Sequence, residues 1–412
     1  MSFSAKYFQS FQEKTGRAMR RFSILCSYVA GLAFIVSGFF KLLDPIGTGF
    51  IMEEYFRFLH LGFLRGIAVA AGIAVSAVEF ILGGLLVIRF KMRFTAVAAL
   101  VMMAFYMLLT LFLAIFNPPM DCGCFGEAVH LTHLQTFIKN IVLGLICLPP
   151  FFKRDSIEYT CRKWHVVYRL VLLAIPVIGL PLQSLLYRPF LDFTDYKPST
   201  VLSDGVSGQA DYSSAMSFVY EKGGERRSFG LDNLPDSTWT YVETVTVPVE
   251  DQGDDGMPLP LRDEEGKYVS DLFAHEKTML ISVYDPAAFD MDDWMTVKIF
   301  GDSVSAAGMS VIVALAATEE EGRRISEMIR YPVCYSDYKT LITLNRSNGG
   351  FTYVANLSYP TIVGKWAYRL METGAPAMIA VEDPDVMLMH ATIRRNSFMR
   401  IVALAYIVLM IV

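Results

Sequence analysis

The chain has 412 residues, 53% hydrophobic and 19% charged, against about 45–50% and about 25% in ordinary soluble domains. A mean hydropathy of +0.40 and 30 phenylalanines exclude a disordered chain and point to a membrane protein, while six cysteines are too few for a disulfide-framed secreted scaffold. The net charge of −5 is unevenly spread: residues 190–397 carry −15 and the rest +10, which implies two compartments and makes nucleic acid an unsuitable partner for the acidic part.

Residues 1–21 read as a basic N-terminus. Phe22 to Phe40 follow without a charge, and with residues 41–43 they are long enough to cross about 30 Å of hydrocarbon. No small-x-small pattern follows, so the run reads as an anchor rather than a cleaved signal. Gly66 to Ile88 is apolar except for Glu79, Phe94 to Met120 carries no charge, and Leu134 to Phe152 is broken only by Lys139. Four membrane-spanning helices over 22–152 are therefore expected. After a basic loop at 153–169, a fifth span at 170–186 contains Pro176 and Pro181, which should kink it unless a neighbour satisfies the freed carbonyls.

The basic N-terminus, the Arg89/Lys91/Arg93 turn and the Lys153 to Arg169 segment fall on one side of these spans, which the positive-inside rule makes cytoplasmic. The 44–65 loop, the 121–131 loop and residues 187 to about 397 are then extracytoplasmic. In the first of these loops Ile51, Tyr55, Phe58, Leu59 and Phe63 recur at helical spacing, with Glu53, Glu54 and Arg57 on other faces, a pattern for a short interfacial helix.

Residues 187–265 read as a strand-rich segment ending in a Pro/Gly/Asp-rich linker at 250–266. From 266 to 393 the pattern sharpens: a strand at 278–284, a helix at 290–300, a strand at 309–317 and a helix at 319–330. A short strand near Val333, a helix at 336–346 and a hairpin at 350–366 follow. The apolar tail at 394–412 ends in twelve apolar residues, about 18 Å of helix, enough for a partial sixth helix only.

The most pointed chemical feature is Asp121-Cys122-Gly123-Cys124-Phe125-Gly126, on an outer loop. Cysteines two apart can close a small ring whose strain makes the disulfide readily exchanged, and Gly123 and Gly126 tolerate the positive φ such a loop needs. Two readings stand side by side. The pair can be redox-active, or it can be a structural bridge, since Asp121 disfavours a thiolate. Zinc binding with His130 and His133 matches no common ligand spacing, so no metal is expected. Thr132 to Gln135 fits a capping box that starts the fourth helix. Cys334, the remaining outer cysteine, reads as a buried strand residue, and Cys26, Cys147 and Cys161 receive no role.

Glu79 is the second feature, because a carboxylate inside an apolar span faces the bundle interior and takes a partner. Lys139 and Lys41 are the candidates. A Glu79–Lys139 pair acting as a lock is the favoured reading, with Lys41 snorkelling at the outer end of the first span; a proton relay toward the cysteine loop, or solute transport, is the sharper alternative.

Residues 31–41, Gly-Leu-Ala-Phe-Ile-Val-Ser-Gly-Phe-Phe-Lys, with Asp44-Pro45, Glu79 ahead of Gly83-Gly84, the Cys122/Cys124 loop and Lys139-Asn140, resemble the DoxX-like bundle and more closely its methylamine-utilisation MauE branch. The element order at 266–393 resembles a thioredoxin-like fold, and the fusion of the two resembles an uncharacterised Bacteroidetes group. Where such oxidoreductases carry Cys-x-x-Cys, this chain reads Tyr284-Asp285-Pro286-Ala287-Ala288-Phe289-Asp290, and Gly349-Gly350 stands where their cis-proline would be. The resemblance implies a four-helix bundle with a fifth helix in the bacterial inner membrane, and help with disulfide formation during maturation of a periplasmic protein, through Cys122 and Cys124. A membrane quinone would be a possible electron sink, with no recognisable site, and no cofactor is identified. The alternative is a non-enzymatic anchor or scaffold whose outer domain binds another envelope protein. The lipid bilayer and a periplasmic partner or client are the expected partners.

Overall fold

The computed structural model describes residues 3–118, 120, 123, 131–158, 163–187, 189, 191–203, 216–222, 225–229, 239–246, 256–269, 275–356, 359–373, 383–384 and 387–388. The chain divides into two compact units, 1–193 and 194–412.

The first unit is helical. Helices α1 (Phe3–Leu43), α2 (Pro45–Phe58), α3 (Ala68–Ile88), α4 (Met92–Phe116), α5 (His133–Phe152), the single turn α6 (Arg154–Ile157) and α7 (Lys163–Leu186) follow in order. Five segments, Thr15–Leu43, Gly62–Ile88, Met92–Phe116, His133–Phe152 and Val167–Leu186, are long and apolar enough to cross a membrane, and the unit is the helical domain of a multi-pass membrane protein. The first helix starts far ahead of the apolar run, and α7 continues through both Pro176 and Pro181.

Helices α1 and α3 meet backbone to backbone. A Cβ on Gly31 would stand 2.7 Å from the Gly83 carbonyl oxygen, and one on Gly38 would stand 2.8 Å from the Phe80 amide nitrogen. Small residues allow this approach, which is how helices associate without a hydrophobic drive between them. Ser27 donates to the Leu86 carbonyl at 2.8 Å along the same seam. At one end of the bundle the basic residues gather around α6: Arg20 donates to the Ser156 carbonyl and Arg93 pairs with Asp155. At the other end Asp44 caps α2 by accepting from the Gly47 amide at 2.9 Å, with Pro45 at the first helical position.

The 44–65 segment differs from expectation. A helix is present within it, from Pro45 to Phe58, but Glu53 is buried rather than outward, held by Arg57 at 3.3 Å and Arg65 at 2.9 Å. Leu59 and Phe63, expected on the apolar face of this helix, lie beyond its end at Phe58, with Phe63 in a short 3-10 turn, Gly62–Ile67, and both are exposed.

The second unit contains strands β1 (Leu202–Ser203), β2 (Met216–Lys222), β3 (Glu225–Phe229), β4 (Thr240–Thr246), β5 (Met257–Pro258), β6 (Lys277–Val283), β7 (Ser310–Leu315), β8 (Val333–Tyr335), β9 (Gly350–Asn356) and β10 (Pro360–Trp366). Its helices are α8 (Met291–Ala306), α9 (Glu319–Ile329) and α10 (Tyr338–Leu344), each opened by a capping side chain, Asp290, Thr318 and Asp337. The main sheet has the order β10-β9-β6-β7-β8, with β6, β7 and β8 parallel and the β9–β10 hairpin antiparallel. A separate antiparallel sheet runs β3-β2-β4.

Alternate residues of the main sheet face two cores, as the pleat requires. Ile281, Val313, Phe351 and Tyr353 pack with Trp294, Val297 and Phe300 of α8 and Ile329 of α9. Leu280, Ile312, Cys334 and Val354 pack on the other face with Leu341 and Leu344 of α10, and with Tyr196, Leu202, Leu259 and Leu261. The segment expected as a linker is therefore partly core: Leu259 and Leu261 are 1% and 2% exposed. Apolar residues at 257, 259 and 261 seat β5 beside β1 despite the surrounding Pro/Gly/Asp content. The whole apolar tail at 394–412 and the end of the 266–393 segment, apart from 383–384 and 387–388, lie outside the described residues.

Candidate functional site

Gly38 brings α1 against α3 at the level of Ser76 and Phe80, so the residue three positions on, which shares its helix face, meets Glu79. That residue is Lys41. Its Nζ donates to Glu79 Oε2 at 2.7 Å, with the two side chains 10% and 4% exposed. Glu79 therefore pairs with Lys41 and not with Lys139, and Lys41 is buried rather than snorkelling. The close seam between α1 and α3 decides the matter.

Tyr106 of α4 completes the cluster, donating its hydroxyl to the same Glu79 oxygen at 3.2 Å while its ring lies 5.5 Å from the Lys41 ammonium. Asn140 of α5 donates to Thr110 Oγ1 at 3.2 Å, and Thr110 donates to the Tyr106 carbonyl at 2.6 Å. A chain of polar side chains thus ties α1, α3, α4 and α5 together inside an apolar bundle, where an unmatched charge is costly. Tyr106 and Thr110 escape a charge-based reading because neither residue type is unusual in an apolar helix. Thr48 donates to the Lys41 carbonyl at 3.0 Å and closes the end of α1.

These groups line a cavity of about 310 Å3 whose remaining wall is mostly apolar and aromatic, including Phe34, Tyr55 and Phe105, with Ser37 and Ser76 among them. Lys139 and Asn140 line it as well. So does Gly123, whose φ is +60°, the positive value expected for it; a Cβ there would stand 2.6 Å from Ile51 Cγ2 of α2. Cys122 and Cys124, the chain neighbours of Gly123, lie outside the described residues, as do Asp121, Gly126, His130 and Cys161. The stem of their loop is described. His133 Nε2 lies 3.0 Å from the Pro118 carbonyl, and since a carbonyl only accepts, Nε2 carries the proton. The capping box at the start of α5 is present, with Thr132 accepting from the Gln135 amide and Gln135 accepting from the Thr132 amide.

In the second unit, the 284–290 turn is filled by packing. Phe289 lies 5.0 Å from Trp294 and 5.3 Å from Tyr368, ring to ring, and covers Gly349, where a Cβ would stand 2.5 Å from Phe289 Cζ. Asn348 accepts from the Asp285 amide and donates to the Asp285 carbonyl, holding this turn to the start of β9. Cys334 is buried in β8, and burial with the nearby Asp263 pushes its thiol up to about 11, away from thiolate reactivity. Among the described residues no group of three or more His, Cys, Asp or Glu side chains gathers as a metal site would need.

Fold and site together define a multi-pass membrane protein whose helical unit holds a buried ion-pair cluster and whose C-terminal unit contains a β-sheet. Residues 19–152 match the model of the family described as methylamine utilisation protein MauE, and residues 214–251 match a domain of unknown function (DUF8463). No curated protein and no solved structure matches the chain.

Proposed function

We propose that the chain is an inner-membrane component of extracytoplasmic thiol–disulfide exchange, with the chemistry at Cys122 and Cys124. The observation that carries the reading is that Gly123, the residue between the two cysteines, lines the cavity whose wall holds Lys41, Glu79 and Tyr106. The MauE match over 19–152 supports the same reading. A client thiolate attacks one sulfur of the Cys122–Cys124 disulfide, forming a mixed disulfide and releasing the other sulfur as a thiolate. A second client thiolate then breaks the mixed bond. The client leaves as a disulfide, and Cys122 and Cys124 remain as a dithiol holding two electrons.

The clustering of Arg20 and Arg93 at the end of the bundle opposite Asp44 supports a cytoplasmic N-terminus and a periplasmic cysteine loop. The three parallel strands, the antiparallel hairpin and helices on both faces support a thioredoxin-like ancestry for the second unit. Its aromatic-filled 284–290 turn favours client recognition there over chemistry.

The test is to trap the intermediate. With Cys124→Ser, the Cys122 thiolate attacks the disulfide of an oxidised client in the reverse of the exchange, releasing one client thiolate, and no Cys124 remains to resolve the mixed disulfide, so reductant-sensitive protein adducts are expected on this variant and on none of the Cys122→Ser/Cys124→Ser protein. Absence of adducts from both single variants, with the double variant retaining function, would support the scaffold reading instead.

A further inference from the structure

Reoxidising the Cys122/Cys124 dithiol needs a two-electron acceptor, and the cavity beside Gly123 has the chemistry to hold one. We propose that this cavity is a binding site for the headgroup of a membrane quinone, a role that rests on the exchange reading above.

The volume, about 310 Å3, falls at the lower end of the range for small-ligand sites, about 300–1,000 Å3. Its wall combines two features that an acyl-chain crevice would not use together. Phe34, Tyr55 and Phe105 supply flat apolar surface for a planar ring. Lys41 supplies N–H donors within the apolar bundle, where the carbonyls of a quinone are the natural acceptors, while Asn140 spends its two N–H groups on Thr110 Oγ1 and the Tyr106 carbonyl. The Lys41 ammonium has three donors, of which Glu79 takes one. A hydrocarbon chain gains nothing from these groups, and burying an ion pair against it carries a desolvation cost.

The reaction balances without another reagent. Two thiols become a disulfide and release two electrons and two protons; the quinone takes up two electrons and two protons to become a hydroquinone. The Tyr106 hydroxyl and the Lys41 ammonium, both on Glu79 Oε2, are proton-bearing groups on the wall from which a reduced ring would take its protons, and the two protons released by the thiols replace them in the overall balance.

The test uses the full chain purified in detergent, with decylubiquinone as the probe and decanol as a chain without the ring. Saturable one-to-one binding is expected, unchanged in Cys122→Ser/Cys124→Ser and weakened at least ~10-fold, about 1.4 kcal/mol, by Ala71→Phe, which fills the cavity from α3. If Ala71→Phe does not fold, competition decides: decanol should displace the quinone only weakly. Equal displacement by decanol, or no saturable binding by the folded wild type, overturns the site. Binding that persists while added quinone fails to oxidise reduced Cys122 and Cys124 keeps the site and removes its role as their electron acceptor, whereas absence of trapped client adducts removes the exchange reading, so the two failures are distinguishable.

Discussion

Lys41 and Glu79 form a 2.7 Å ion pair between α1 and α3 with both side chains at most a tenth exposed. Breaking one side of such a pair strands the other charge, at about 3–5 kcal/mol. Lys41→Met alone is therefore expected to destabilise the bundle strongly, Tyr106→Phe by about 1 kcal/mol, and Lys41→Met/Glu79→Leu less than Lys41→Met alone. Thermal aggregation midpoints of the three variants in one detergent provide the comparison. A double variant no better than the single would show that the ion pair is not what the charges contribute.

The glycines of the α1–α3 seam set where Lys41 points. Gly83→Ala would place a Cβ 2.7 Å from the Gly31 carbonyl oxygen and from the Ile35 amide nitrogen, and overpacking of this kind costs about 1–3 kcal/mol. The same change at Gly16, which has nothing within 4 Å of its Cβ position, is expected to be silent. Retained monomer after heating, compared between the two variants, reads the difference.

Gly123→Ala meets both a positive φ and the Ile51 methyl at 2.6 Å, and the left-handed conformation alone costs roughly 1–2 kcal/mol for a residue with a Cβ. The loop is expected to shift, changing the maleimide labelling rate of reduced Cys122 and Cys124. Adding Ile51→Ala removes the clash and should bring the rate part of the way back. A rate indifferent to both changes would mean that the Gly123–Ile51 contact does not position the cysteines.

In the sheet unit, burial raises several acidic side chains: the Cys334 thiol to about 11 and the Tyr353 phenol to about 12, with Glu276 and Asp383 adding to the latter. Groups raised in the folded state stabilise it below their unfolded pKa, and that contribution is lost as pH rises through the folded value. The unit should therefore hold constant stability to about pH 9 and lose it progressively toward pH 12. The Tyr353 hydroxyl is buried without a hydrogen-bond partner, so Tyr353→Phe should leave stability at neutral pH unchanged or improved and flatten part of the alkaline loss. Near-ultraviolet circular dichroism melts across this range check both expectations.

Glu79 was legible in the sequence because a carboxylate in an apolar run is conspicuous, but its partner was not. Lys41 and Lys139 both lie within reach by residue count, and only the rotational phase set by Gly31, Gly38 and Gly83 turns Lys41 onto Glu79. The strands and helices from 277 to 366 could be read because apolar runs alternate with capped, charged helices there, as at Thr318 and Asp337. The seating of Leu259 and Leu261 could not, because β1 and β5 are two residues long and their neighbours are turn formers. Gly123 was readable as a positive-φ position, whereas its contact with Ile51 depends on how α2 folds over the bundle.

The redox state of Cys122 and Cys124 in intact cells, fixed by acid and counted with a mass-tagged maleimide before and after mild reductant, bears on all of this. Thiol exchange requires a mixed population of dithiol and disulfide that shifts quickly when oxidant or reductant is added. A pair that is fully oxidised and resists reduction in the folded protein would contradict it, leaving a structural bridge and a membrane scaffold.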